Sequence, residues 1–263
     1  MCGFFHACRD WKERGLTMRL GGYLALTLKD DPGYLAAVCF TQGCPLRCPY
    51  CHNPDLVLPS GGADATPLPA TEFLDYLRRR HRQLDSVVIS GGEPLLQPDL
   101  PDFLADIRSL GLRIKLDTSG ALPDLLLPLL KRQLIDFVAL DFKNSHDRLA
   151  ETCGLSGPAM TADDYGKNWC QTQKILQVER VDHEIRTTVV REFHPLPVLR
   201  DMAMELVAAG AYETPWFLQT FRRSGPLLAD RIGSDLTMTA YQPAEMKMIQ
   251  ATLTSIIPTV QLR

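Results

Sequence analysis

Between Tyr34 and Phe221 the chain repeats one pattern: a short strand-like run, a polar or glycine-rich turn, then a stretch of helical period. The strand runs are Tyr34–Phe40, Ser86–Ser90, Leu112–Leu116, Phe137–Leu140, His183–Val190 and Trp216–Phe221. The helical stretches begin near Pro69 and span Asp99–Leu110, Leu125–Arg132, Ala162–Leu176, Pro197–Ala209 and Ala244–Ser255. Strands bounded by turn residues and separated by helices imply a parallel sheet with right-handed crossovers. The expected fold is α/β, a partial, open (β/α)6 barrel. No repeat or interdomain linker is visible, so Met18 to Arg263 reads as one domain. Residues Met1 to Thr17 read as an N-terminal extension without a defined fold, and Cys2, His6 and Cys8 within it receive no role.

The turn after the first strand, Thr41 to Pro54, holds Cys44, Cys48 and Cys51 in the spacing C-x3-C-x2-C. Thiolates gathered on one loop can ligate a single inorganic centre. Structural zinc takes four closed ligands, usually from two separated pairs, and no second pair follows. Three thiolates suit a [4Fe–4S] cube with one iron left open to a small molecule. The residues favour that reading over zinc or inert thiols. Cys39, inside an apolar strand, reads as a buried inert thiol, and Cys153 and Cys170 as free thiols. With no apolar export segment at the start, the eight cysteines fit a reducing cytoplasm better than a disulfide framework. No run of 18 apolar residues offers a membrane span, and a net charge of −3 gives no broad basic surface for nucleic acid.

In α/β barrels the chemistry sits where strands end, and the unusual residues fall there. Gly91-Gly92-Glu93-Pro94 follows the second strand and permits close backbone approach to a ligand. Asp117-Thr118 follows the third, and Asp141 and Lys143 follow the fourth. Arg186 lies within the fifth, where its charge needs a partner. Two carboxylates at adjacent strand ends can form an acid/base dyad, bind a cation or cap the following helices. Arg78 to Arg82 close a helix, where cations suit the macrodipole. The alternative there is a docking patch for an acidic protein.

The cysteine spacing, with Tyr50 just before the third cysteine, resembles the radical S-adenosylmethionine (SAM) superfamily. The string Cys48-Pro49-Tyr50-Cys51-His52-Asn53-Pro54 narrows the resemblance to activating enzymes of glycyl-radical proteins. Asp31-Pro32-Gly33, Val88 to Pro94, Lys115 to Thr118, Arg186 to Val190 and Leu218-Gln219 look most like the activating proteins of anaerobic (class III) ribonucleoside-triphosphate reductase. The resemblance runs from Met18 to about Arg223. It departs at Asp31, where the pattern often has tyrosine, and in the unmatched extension.

The resemblance implies a fold of radical SAM type and a [4Fe–4S] cluster on Cys44, Cys48 and Cys51, its open iron chelating SAM. It places Gly91 and Gly92 at the SAM amino group and Tyr50 along the adenine. Asn53 would contact SAM or the loop backbone, and Glu93 would fix the turn beside it. Asp117, Thr118, Gly120, Asp141 and Lys143 would build a monovalent-cation site next to the SAM carboxylate, with Lys143 and Arg186 as further SAM contacts. His52, adjacent to Cys51, is not expected to ligate the cluster; His146, His183 and His194 are expected to be solvated or packed. The implied activity is reductive cleavage of SAM to methionine and a 5′-deoxyadenosyl radical that takes a hydrogen from a glycine of a partner enzyme. The implied partners are that glycyl-radical enzyme and a low-potential electron donor such as flavodoxin or ferredoxin. Rival readings are an activator of another glycyl-radical enzyme, a small-molecule enzyme of the 7-carboxy-7-deazaguanine synthase kind, or a non-catalytic iron–sulfur carrier.

Overall fold

A computed structural model of the chain describes residues 16–58, 67–155 and 160–263. The extension expected at residues 1–17 lies almost wholly outside them, as does most of the loop expected at 59–67. In chain order the strands are β1 (Arg19–Thr27), β2 (Ala36–Thr41), β3 (Leu68–Pro69), β4 (Ser86–Gly91), β5 (Arg113–Thr118), β6 (Phe137–Asp141), β7 (Asp182–Val189), β8 (Trp216–Thr220) and β9 (Val260–Leu262). The helices are α1 (Pro54–Val57), α2 (Ala70–Arg80), α3 (Leu100–Ser109), α4 (Pro123–Lys131), α5 (Leu149–Cys153), α6 (Ala162–Val178), α7 (Leu196–Ala208), α8 (Leu228–Arg231) and α9 (Pro243–Thr254).

Among the described residues the strands form one sheet in the order β3-β1-β2-β4-β5-β6-β7-β8-β9. From β2 to β9 every neighbouring pair is parallel, while β1 runs antiparallel to β2 and β3. The sheet is a barrel left open, with β3 and β9 as its two edges. All six expected strands are present. Strands β1, β3 and β9 were not anticipated. In β1, Gly21-Gly22 and the exposed Leu24 and Leu26 blur the alternation; β3 and β9 are too short to carry any.

The period of two sorts the sheet's side chains. Cys39, Ile89, Leu116, Leu140, Ile185 and Leu218 point to the main core under the helices. Their neighbours Phe40, Ser90, Asp117, Asp141, Arg186 and Gln219 therefore point to the other face, which is the inside of the open barrel. At the β1 side this inner face is apolar, with Ala36, Val38, Val88 and Phe40 packed as a small separate cluster.

Helix ends follow from local chemistry. The start of α6 is a capping box: Thr161 Oγ1 accepts from the Asp164 amide, and the Asp164 carboxylate accepts from the Thr161 amide. Helix α2 buries Ala70, Phe73, Leu74 and Leu77, and its N-cap is Pro69. Arg78, Arg79 and Arg80 sit in its last turn, where the dipole favours them. Asp31, the departure from the resembling pattern, is buried and anchors the far end of the sheet by accepting from Ser86 Oγ and Arg113 Nε. No described helix is long and apolar enough to cross a membrane.

Candidate metal and cofactor site

The three cysteines sit on the irregular loop between β2 and α1, and backbone bonds from four directions fix that loop. The Gly43 amide donates to Leu56 O at 2.6 Å, and the Cys51 amide to Cys48 O at 3.0 Å. From the start of α8, the Leu228 and Ala229 amides donate to Cys51 O and Pro49 O at 3.1 and 3.0 Å. Arg47 Nη1 reaches back to Cys44 O at 2.6 Å, and its own amide donates to Cys153 O at 2.8 Å.

The Gly91-Gly92 turn lies directly against this loop. Gly92 N donates to Thr41 O at 2.9 Å and Glu93 N to Gly43 O at 2.7 Å. A Cβ on Gly91, whose φ is +119°, would stand 2.3 Å from Thr41 N, and one on Gly92 only 2.0 Å from Gly43 O. The glycines therefore make room first for the cysteine loop, a requirement the sequence reading did not see, while still lining the cavity above it. Gly92→Ala is expected to push Gly43 and Cys44 out of place at a cost of roughly 1–3 kcal/mol or more. Iron content after anaerobic reconstitution and the unfolding midpoint should both fall, and parent values for both would refute the packing role.

That cavity, of about 240 Å³, collects Cys44, Cys48 and Cys51 on one side and Asp117, Asp141, Lys143 and Arg186 on the other. Tyr50, Asn53, Gly91, Gly92 and Thr118 complete its lining. Of the expected contacts, Glu93 stands apart. It is fully buried, accepting from Thr118 Oγ1 at 2.8 Å, the Ser119 amide at 2.9 Å and the Leu95 amide at 3.3 Å. Burial pushes its carboxyl up, and these donors pull against that shift. Its structural work is to tie the glycine turn to the end of β5.

The polar wall is an ion network. Arg186 lies between the two carboxylates, with Nη1 3.1 Å from Asp117 Oδ2 and Nη2 3.0 Å from Asp141 Oδ1. Lys143 Nζ is 2.8 Å from Asp141 Oδ2, and Ser90 Oγ donates to Asp117 at 3.2 Å. Burial would raise the Asp141 carboxyl, but Lys143 and Arg186 hold it below the usual range. Both carboxylates thus face protein cations, although Asp117 Oδ1 is buried without a hydrogen-bond partner. Neither Asp117 nor Ser119 caps a helix: the N-cap of α4 is Leu122, with no side-chain cap bond.

Two groups behind this wall escaped the sequence reading. Lys115, 1% exposed, stands 3.7 Å from Asp117 Oδ1 and 3.8 Å from Glu184 Oε1. Its signal was present in the alternation Arg113-Ile114-Lys115-Leu116-Asp117, which puts three charges on the inner face. His194, expected to be merely packed or solvated, accepts from Val190 N at 3.1 Å, so its Nε2–H donates to Lys143 O at 2.8 Å. Burial depresses its pKa to about 4. The unfolded chain therefore binds this proton more readily than the fold, so stability drops as pH falls from 6.5 towards about 4. The loss is about 3 kcal/mol. Urea midpoints at neutral and acid pH should diverge less in His194→Gln than in the parent, and equal divergence would sink the assignment.

His52 also lines the cavity, but its Nε2 is engaged 2.5 Å from Arg222 O and its ring lies 5.4 Å from that of Phe221. Cys39 is buried, as expected, and Cys170 is exposed. Cys153 is not isolated: it lies against Cys48.

The donor set fits an iron–sulfur centre. Three thiols lining one cavity suit an inorganic group larger than a single ion. Burial pushes the Cys44 and Cys51 thiols up, so they ionise when a cationic centre supplies the compensating charge.

The Radical SAM superfamily model matches residues 38–164, a little under half of the chain, and the cofactors that go with that superfamily are a [4Fe–4S] cluster and SAM. The chain is 36% identical over 133 residues to a protein of Methanocaldococcus jannaschii named as a glycyl-radical enzyme activating enzyme, covering 50% of this chain and 53% of the relative. It is 39% identical over 134 residues to the pyruvate formate-lyase-activating enzyme of Clostridium pasteurianum, covering 49% and 54%. The chain thus spans about half the length of these relatives. In fold it is similar to the crystal structure of QueE from Escherichia coli, with a TM-score of 0.53 and 14% identity over 98% of this chain and 99% of that one.

Proposed function

We propose that this protein is a radical SAM activase that generates a glycyl radical on a partner enzyme. The observation that carries the reading is the pairing, in one cavity, of three cluster-type cysteines with a balanced wall of two carboxylates and two cations. A zwitterionic amino-acid group needs both signs of charge, and this wall offers both. Names of the sequence relatives support a glycyl-radical partner. The finer reading, from the motifs, is anaerobic ribonucleoside-triphosphate reductase.

Cys44, Cys48 and Cys51 would hold the cluster, which when bound supplies the electron that cleaves SAM. Gly91 and Gly92 offer backbone to the SAM amino group. Lys143 and Arg186 hold the carboxylate, with Arg186 itself fixed by Asp117 and Asp141. Tyr50 and Asn53 bound the adenosine side, and Glu93 and Thr118 keep the glycine turn in register. A monovalent cation between Asp117 and Asp141 would have to displace Arg186, and we give that place to Arg186. The electron donor we propose is a flavodoxin or ferredoxin, and the setting a reducing cytoplasm.

The test is direct. Reconstituted, reduced protein with SAM is expected to produce a doublet glycyl-radical EPR signal on a co-encoded glycyl-radical reductase. SAM consumption with a small purine-like substrate, and no protein radical on any co-encoded partner, would replace the activase reading with the small-molecule one.

A further inference from the structure

A second cavity, of about 410 Å³, lies between α5, α6 and α7 and shares no lining residue with the one above the cysteines. Its size is that of a small-molecule pocket, and its lining is of the matching kind, mostly apolar with few polar groups. The apolar part is aromatic. Tyr165 and Trp169, one turn apart on α6, stand beside Phe142, whose ring centre is 4.6 Å from that of Trp169. Tyr165 Oη donates to Ser119 O and Trp169 Nε1 to Asp141 O, both at 2.9 Å. With their donors engaged, these side chains offer the cavity ring surface.

The charged part is one carboxylate. Glu205, half-buried on α7, accepts from the His146 amide at 3.1 Å to each oxygen. Among the described residues no lysine or arginine pairs with it. Burial pushes its carboxyl up, Asp147 and Asp201 add to that, and His146 pulls against it. The His146 ring is itself engaged, with Nε2 3.0 Å from Asp163 Oδ1. Ring faces beside an unpaired carboxylate, with further acids nearby, are complementary to a cation.

We propose that this cavity binds a small organic cation, an aromatic or alkyl body carrying one ammonium group. The ammonium sits at Glu205 and the body lies against Phe142, Tyr165 and Trp169. An anion would meet the charges of Glu205, Asp147 and Asp201, and a neutral molecule would leave the carboxylate unpaired. The site needs neither the cluster nor a partner enzyme, so it goes beyond the function proposed above.

The test is isothermal calorimetry on the full chain with three probes of similar shape: phenethylamine, phenethyl alcohol and hydrocinnamate. The amine is expected to bind about tenfold more tightly than the alcohol, and the carboxylate not measurably. Glu205→Gln keeps an acceptor for the His146 amide. It should bring the amine to the affinity of the alcohol and leave the alcohol unchanged. Ala208 is exposed and lines the cavity, so Ala208→Trp should fill the space and abolish binding of both while circular dichroism stays that of the parent. No saturable amine binding to the parent, equal affinity for amine and alcohol, or a preference that survives Glu205→Gln overturns the proposal. Amine binding that persists in Ala208→Trp places the amine elsewhere and overturns it too.

Discussion

Replacing Cys44, Cys48 or Cys51 by alanine is expected to abolish iron incorporation at the expected stoichiometry and to leave no measurable SAM cleavage. On the proposed reading each would supply one thiolate, and losing one would leave a second iron of the cube without a protein ligand. The variants should nonetheless fold. The loop is held by the Gly43–Leu56, Cys51–Cys48, Leu228–Cys51 and Ala229–Pro49 backbone bonds, which do not involve sulfur. Far-ultraviolet circular dichroism should match the parent while the visible iron–sulfur absorption is lost. Cys39→Ala and Cys170→Ala are the controls. Cys39 faces the main core and Cys170 is exposed, so neither should alter iron content. Parent levels of iron in any one of the three loop variants would remove that cysteine from the ligand set.

Much of this architecture was readable because strand and helix alternate with clear periods. The run Phe137 to Leu140 ends where its apolar residues end, and β6 extends beyond it only by Asp141. The place of the candidate site was readable for the same reason: the polar residues at the C-terminal ends of the apolar runs line one cavity with the three cysteines. Three things were not readable. The antiparallel β1 hides behind two glycines and outward leucines, so its pairing with β2 comes from the sheet and not from its own pattern. Contacts between distant stretches, such as Cys153 with Cys48 or His194 with Lys143, leave no trace in spacing. The sequence also assigns one role per residue, whereas Gly91 and Gly92 must satisfy the cysteine loop before any ligand.

Arg186→Met is expected to be the most destabilising single change in the polar wall. Its guanidinium spans Asp117 and Asp141 at 3.1 and 3.0 Å, and a linear thioether can bond neither. Removing one partner of a buried ion network costs roughly 3–5 kcal/mol, because the remaining charges stay out of water. Side-chain exposures of 14% for Arg186, 12% for Asp117 and 28% for Asp141 put the cost at the lower end of that range. Lys143 still serves Asp141, so Asp117 bears most of the loss, with Lys115 3.7 Å away as its remaining cation. The pH dependence follows from the sign of the Asp141 shift. The below-normal pKa in the fold contributes stability that is present above the unfolded value of 3.8 and lost as pH falls through the lower folded value. Without Arg186 that contribution shrinks, so the gap between variant and parent should narrow as the pH is lowered from neutrality. Arg186→Lys, able to reach one carboxylate but not to bridge two, should fall between them. Urea unfolding of the metal-free proteins at neutral and acid pH gives the measurement. A Met variant within about 1 kcal/mol of the parent at neutral pH, the ceiling for an exposed pair, would mean that the network is a solvated surface cluster and that Arg186 is held by something other than Asp117 and Asp141.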